Sequence, residues 1–134
     1  MIEEKDFLLR EVQRITLLLK ELISKVTGLD SGNSSKDLTE IDNKLKSNLE
    51  ISIKEIIDMT ENEFLEKFLI KNENYLEQLS ELIFEIIKKK QSNFDFDENE
   101  LIKKNIIIIE AVNKKSKTYS LQRMNMKNIL QQHL

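Results

Sequence analysis

Residues 97–115 carry the feature that most constrains the fold, a long apolar segment with only a narrow polar stripe. At about 100° per residue in an α-helix, the stripe consists of Lys103, Glu110 and Lys114. Apolar side chains spread over more than half of the remaining surface: Leu101, Ile102, Ile106, Ile108, Ile109, Ala111 and Val112. A helix with so much apolar surface is usually covered on two sides. The segment therefore predicts a central helix inside a helical stack.

The β-branched run at residues 106–109 is also compatible with a β-strand. However, no Gly or Pro bounds this run, and the D-x-x-E pair Asp97/Glu100 marks a helix start just before it. We therefore predict a helix over residues 98–115 and no strand within residues 104–112.

Turn-forming residues are scarce in the whole chain. Its 134 residues include no Pro and only two Gly, Gly28 and Gly32, while charged residues make up 34%. Sheets and long loops need more turn residues, so this composition indicates an all-α protein. The length fits one domain over residues 1–134. There is no Cys, which excludes disulfides and thiolate chemistry.

The N-terminal segment has a heptad-like apolar seam, which predicts a first helix over residues 3–27. The seam residues alternate spacings of four and three: Leu8, Val12, Ile15, Leu19, Leu22, Val26 and Leu29. Both glycines and a Ser/Asn cluster follow, so we expect residues 28–36 to form a flexible loop.

Later helix starts share one capping pattern, in which a capping side chain stands three residues before a Glu. The four pairs are Asp37/Glu40, Thr60/Glu63, Asn74/Glu77 and Asp97/Glu100, and Ser120 is a fifth cap without the Glu. With the first helix they predict five to six helices in all, the later ones at residues 38–58, 61–71, 75–91, 98–115 and 121–132.

The Asp37–Asn74 and Thr60–Asp97 spacings are both 37 residues. A helix-pair period of this size is typical of tetratricopeptide-like arrays, although their signature Gly and Pro are missing. We predict helical hairpins stacked in such an array or in an orthogonal bundle.

Two stretches of the sequence resemble a known family. Residues 1–15, with Met1-Ile2, Asp6-Phe7-Leu8-Leu9-Arg10, Val12 and Ile15, resemble the start of a bacterial family of small helical proteins of unknown function. Residues 49–65 resemble its second shared stretch, a helix end followed by an acidic, capped helix start. The resemblance covers about half of the chain and implies a helical scaffold with a tetratricopeptide-like region for protein contacts. It implies no activity.

Charge is unevenly distributed along the chain. Residues 1–87 hold 11 Lys/Arg and 19 Asp/Glu, and residues 88–134 hold 10 and 5. We interpret this as attraction between the two parts, within or between chains, and expect no nucleic-acid binding because Arg123 is the only Arg in the basic part. The acidic N-terminus and the lack of a long apolar run predict a soluble cytoplasmic protein that does not enter a membrane.

Few residues could support catalysis or ligand binding. His133 is the only His, and without Cys no soft-metal site has enough ligands. Calcium-like stretches at residues 30–41 and 95–106 end in Ile41 and Ile106, where the bidentate Glu should stand. The Glu63/Glu66 and Glu81/Glu85 pairs fit solvated helix faces, and no phosphate-binding glycine motif is present. We expect no enzyme activity, cofactor or metal.

Three residues are candidates for interaction. Leu17 and Leu18 lie outside the seam of the first helix, which suggests contact with another chain, most simply an antiparallel two-fold mate. Asn105 falls on the apolar arc of residues 98–115, either as a structural amide or as a polar contact for a partner. The favoured hypothesis is a non-enzymatic protein-interaction module that self-associates. The alternative is a helical bundle that binds a small molecule or lipid.

Overall fold

The structure, a computed structural model, describes residues 2–28, 34–68, 71, 73–88, 97–117 and 120–132, with side chains from residue 10 in the first range and 39 in the second. In these ranges the secondary structure is helical and contains no strand, including at residues 104–112, as predicted. The helices are α1 (Ile2–Thr27), α2 (Ser34–Leu49), α3 (Ile53–Asp58), α4 (Glu61–Phe68), α5 (Glu73–Lys88), α6 (Glu98–Ser116) and α7 (Leu121–Gln132).

The core is built around α5. Nine of its 16 residues are buried, including Leu79, Leu82 and Ile83, which have no exposed surface. Its most extensive contacts are with α1 and with α6, so it is covered from two sides. Because side chains at spacings of three and four point to one side of a helix, the close succession of apolar residues at 82–84 and 86–87 supplies two adjoining faces.

Neighbouring helices α5, α6 and α7 run in alternating directions. Asn105 of α6 contacts Ser80 of α5, and the Lys115 Nζ donates to the carbonyl of Lys71 at 3.1 Å. The later part of α6 therefore lies beside the start of α5. Arg123 likewise bonds to Asn113, so that the start of α7 lies beside the later part of α6.

The α6 helix is covered on several sides, as its apolar arc predicts. It contacts α3, α4, α5 and α7, while its predicted polar stripe of Lys103, Glu110 and Lys114 is exposed. The seam of α1 is also confirmed from Ile15 onward: Leu19, Leu22 and Val26 are buried, and Ile15 packs against the core, whereas Val12 is only partly buried. The expected loop over residues 28–36 is wrong for residues 34–36, which belong to α2. Residues 29–33 and the side chain of Leu8 lie outside the described residues.

The predicted helix over residues 38–58 is wrong, because the chain breaks into α2 and α3 at Glu50. Glu50 has a left-handed backbone with φ of 62°, and its N–H donates to the Lys46 carbonyl. Ser52 then caps α3 by accepting a hydrogen bond from the N–H of Glu55 at 3.2 Å. Asp42 of α2 accepts from the N–H of Ile53 at 2.6 Å, which fixes the corner. This break raises the number of described helices to seven.

The other predicted helix starts have mixed outcomes. Thr60 and Glu63 form the reciprocal capping pair, Asp97 caps α6, and Ser120 accepts from the N–H of Arg123 at the start of α7. Asp37 does not cap α2, because the helix begins three residues earlier, at Ser34. Asn74 lies within α5, which starts at Glu73.

The left-handed residue at the α2–α3 break gives the first prediction. We expect Glu50→Gly to stabilise the protein by about 0.5–1 kcal/mol, because Gly adopts positive φ without the steric penalty of a side chain. Glu40→Gly, the same exchange inside α2, is the matched control and should cost about 1 kcal/mol. Urea unfolding of both variants measures this. A loss of stability in Glu50→Gly equal to that of the control would contradict the prediction.

Candidate interaction surface

Asn105 and Ser80 form a polar contact inside the apolar interface of α5 and α6. Asn105 is fully buried, and its Nδ2 donates to the carbonyl of Ser80 at 3.2 Å. Its predicted position on the apolar arc of α6 is thus confirmed. The Oδ1 of Asn105 and the Oγ of Ser80 have no hydrogen-bond partner among the described residues. Because the amide lies within the core, it is not accessible to another protein, and the structural interpretation of Asn105 is favoured over the partner-contact interpretation.

Asn105 gives the second prediction. Leu has nearly the shape of Asn, so Asn105→Leu removes one hydrogen bond but also a buried acceptor without a partner. We expect a change in the free energy of unfolding of less than about 1 kcal/mol. Asn105→Asp should cost about 3 kcal/mol or more at pH 7, since it buries an uncompensated charge. Chemical unfolding measures both variants, and unfolding of Asn105→Leu would mean that the amide is essential for the fold.

Leu17 and Leu18 have different environments in α1. Leu17 is 63% exposed, as predicted, whereas Leu18 is partly buried and packs against the core. The prediction that both lie on the outer face is therefore wrong for Leu18. The reason is helical geometry: Leu18 follows Ile15 by three residues and precedes Leu22 by four, so it borders the buried seam. Among the described side chains of α1, from residue 10 onward, Leu17 is the one exposed leucine, close in sequence to Arg14 and Lys20.

A buried arginine fastens α7 to the rest of the molecule. Arg123 Nε donates to Asn113 Oδ1 at 2.7 Å, and its Nη1 pairs with Glu77 Oε1 at 2.9 Å. A third bond, from Nη2 to Ser116 Oγ at 3.3 Å, reaches the end of α6. Buried Met126 and Leu130 continue this inner side along α7. One face of the helix is therefore fixed, and the opposite face is directed to solvent.

The outer face of α7 carries no charge. Its exposed residues are Leu121, Gln122, Met124, Asn125, Asn128, Ile129, Gln131 and Gln132. The two charged residues of α7 are both engaged with other helices, Arg123 as above and Lys127 with Glu110 at 3.3 Å. Leu121, Met124 and Ile129 are 76%, 47% and 39% exposed. In a chain that is 34% charged, this uncharged outer face with three large apolar side chains is the candidate interaction surface.

A row of three glutamates on α5 lies near one side of α7. Glu77, Glu81 and Glu85 follow at intervals of four residues, and Gln122 of α7 hydrogen-bonds to Glu81. Burial raises the pKa of Glu81 above its ordinary value of 4.5, and the nearby charges of Glu85 and Glu77 add to this effect. The Gln122 bond and Lys20 of α1 act in the opposite direction.

This raised pKa gives the third prediction. Ionised Glu81 is less favourable in the folded state than in the unfolded state, so its contribution to stability falls as the pH rises from about 4.5 through the folded-state pKa. Glu81→Gln should therefore raise the urea midpoint at pH 7 and leave it unchanged near pH 4. Glu66→Gln, an exposed glutamate on α4, is the charge-matched control and should have little effect at either pH. Destabilisation by Glu81→Gln at pH 7 would contradict this.

A shallow apolar depression lies between α4 and α6. Its cavity volume is about 10 Å³, roughly the space of one water molecule, and it is lined by Phe64, Leu65, Phe68, Leu76, Ile107, Ile108 and Ala111. Pockets for drug-sized ligands generally measure about 300–1,000 Å³ and contain a few polar groups. This depression is smaller and its lining is entirely apolar.

Among the described residues, no group of three or more His, Asp or Glu could hold a metal ion. Of the carboxylates considered from the sequence, Glu63 serves in the cap with Thr60, and Asp97 caps α6. Glu66 is exposed, but the predicted solvated face is wrong for Glu81 and Glu85, which are partly buried where α5 packs into the core. His133, the stretch at residues 30–33 and Asp95 lie outside the described parts of the chain. None of the described helices is long and apolar enough to cross a membrane.

The burial of two cationic side chains was not predicted from the sequence. Lys104 is buried on α6, where its Nζ donates to the carbonyl of Met59 at 2.8 Å and lies 3.6 Å from Glu100 Oε2. It thereby ties the junction of α3 and α4 to α6. Arg123 plays the corresponding role for α7. The burial of Arg123 could have been predicted from its spacing. It precedes Met126 by three residues and therefore lies on the same side of α7, which faces the core.

The chain was also compared with known proteins. No protein family, curated protein or solved structure matches it.

Proposed function

We propose that this chain is a non-enzymatic α-helical protein-interaction module whose binding surface is the uncharged outer face of α7. The single observation that carries the proposal is the exposure of Leu121 and Met124 on a helix whose charged side chains both contact other helices. Apolar side chains next to amides can be buried against a partner without removing a charge from water, which is the costly step in association.

The packing of the later helices supports a scaffold of this kind. The alternating directions of α5, α6 and α7 agree with the stacked hairpins expected from the 37-residue spacing and from the family resemblance. The extensive contact of α1 with α5 departs from a simple array, in which each helix packs on its sequence neighbours. We therefore favour the orthogonal bundle for the N-terminal part and tetratricopeptide-like stacking for α5–α7. The cytoplasmic location stays a prediction from the sequence.

The alternative from the sequence is a bundle that binds a small molecule or lipid. The depression between α4 and α6 provides only weak support, because of its small volume and its lack of polar groups to orient a ligand. The surface of α7 supports the interaction module more directly.

Site-specific photo-crosslinking in the native host tests the proposal. A photoreactive residue in place of Asn125, on the outer face of α7, should give a discrete protein adduct, either with another protein or with a second copy. The matched control is the same residue in place of Asn62, which is exposed on α4 and does not belong to the proposed surface. Crosslinking at position 125 no stronger than at position 62 would refute the proposed surface.

A further inference from the structure

We infer that the partner of the α7 surface is a second copy of this chain, bound through the same face around a two-fold axis. This inference rests on the proposed function and names the occupant of the same surface. Three properties of the face support it: its charge, its hydrogen-bonding groups and the arrangement of its apolar side chains.

The charge of the face favours a like partner. A two-fold interface brings identical surfaces together, so any exposed charge near the axis would meet the same charge. Partners of different sequence are commonly selected by opposite charges across the interface. The exposed face of α7 offers no unpaired charge for such selection, because Arg123 is buried with Glu77 and Lys127, whose side chain is 32% exposed, is paired with Glu110. It is the kind of surface that can approach itself without repulsion.

The hydrogen-bonding groups of the face also complement themselves. Its polar side chains are all amides: Gln122, which also bonds to Glu81, and Asn125, Asn128, Gln131 and Gln132. An amide carries both donors and an acceptor, so each can pair with an amide of the same type. A face of carboxylates or ammonium groups lacks this property, since carboxylates only accept and ammonium groups only donate.

An antiparallel pairing brings the central apolar side chain of this face onto itself. Leu121, Met124 and Asn128 lie along one side of α7 at spacings of three and four. When two such helices run antiparallel with Met124 on the two-fold axis, each Met124 faces its counterpart. Leu121 of one copy then lies beside Asn128 of the other. A flexible methionine at the centre adapts readily to its symmetry-related copy.

The size of the surface sets the expected strength. A 12-residue helix is about 18 Å long, so the contact falls below the typical area of stable interfaces. We expect a weak, reversible dimer that is half associated at concentrations on the order of 10–100 μM.

A charge-swap experiment tests the inference. Sedimentation of the full chain over a range of micromolar concentrations should show a dimer for the wild type. Met124→Glu and Met124→Lys should each weaken it about tenfold or more, because like charges then face each other. An equimolar mixture of the two variants should associate again. This rescue would not occur if either variant had lost its fold, and circular dichroism of each verifies folding.

Leu17→Glu is the matched control, since it places the same charge on an exposed leucine of α1. It should leave the association unchanged. Dimerisation abolished by Leu17→Glu but not by the Met124 variants would overturn the inference and place the interface on α1. A wild type that stays monomeric throughout would also overturn it, as would failure of the mixture to associate. The proposed function is tested separately: a crosslink from position 125 to a different protein would support it even then.

The chain has no Cys, which allows a second, independent measurement. Under mild oxidation, Met124→Cys should form a disulfide-linked dimer faster than Leu17→Cys or Asn62→Cys, because only the first thiol meets its counterpart at the axis. Equal rates for all three variants would contradict the antiparallel arrangement.

Discussion

The burial of α5 between α1 and α6 is the interaction on which the rest of the structure depends. It places the side chains of Leu79, Leu82 and Ile83 out of contact with water, and burial of apolar surface is the main favourable term in folding. The other helices are positioned relative to this layer. The α3 and α4 helices contact α6, and α7 is held against both α5 and α6 through Arg123.

Polar contacts in this protein determine positions more than they add stability. Lys104 joins the α3–α4 junction to α6, and Arg123 joins α7 to Glu77 and Asn113. Each buried cation is costly to remove from water and is compensated only when its partners have the right geometry. Apolar contacts tolerate many relative positions of two helices, whereas these bonds tolerate few. These bonds therefore determine which side of α7 faces the core and which side faces solvent.

Local patterns predicted much of the fold, and long-range contacts were missed. The capping pairs Thr60/Glu63 and Asp97/Glu100 could be read from the sequence because their two members lie within one turn of helix. The pair Ser52/Glu55 has the same pattern, but the apolar periodicity continues across it and predicts one helix over residues 38–58. The positive φ of Glu50, which ends α2, has no clear signal because Gly is absent there.

The candidate surface was harder to predict, because burial of a polar residue depends on partners far along the chain. Arg123 and Glu77 are 46 residues apart, and Lys104 and Met59 are 45 residues apart. From the sequence alone these cations belonged to a basic C-terminal part, and the uncharged face of α7 was not apparent. The exposure of Leu17 could be predicted because it lies outside the apolar seam of α1. Leu18 also lies outside the seam, and its partial burial depends on how much of α1 the core covers, which the sequence does not give.

The pairing of α1 with α5 has a consequence for the synthesis of the chain. Some 60 residues separate the end of α1 from the end of α5, so at roughly 5–20 residues per second the ribosome completes α5 about 3–12 s after α1. During that time the seam of Leu19, Leu22 and Val26 lacks its main partner. The nascent chain therefore exposes the apolar seam of α1 until α5 has been synthesised. In this interval, chaperone binding or misassociation competes with folding.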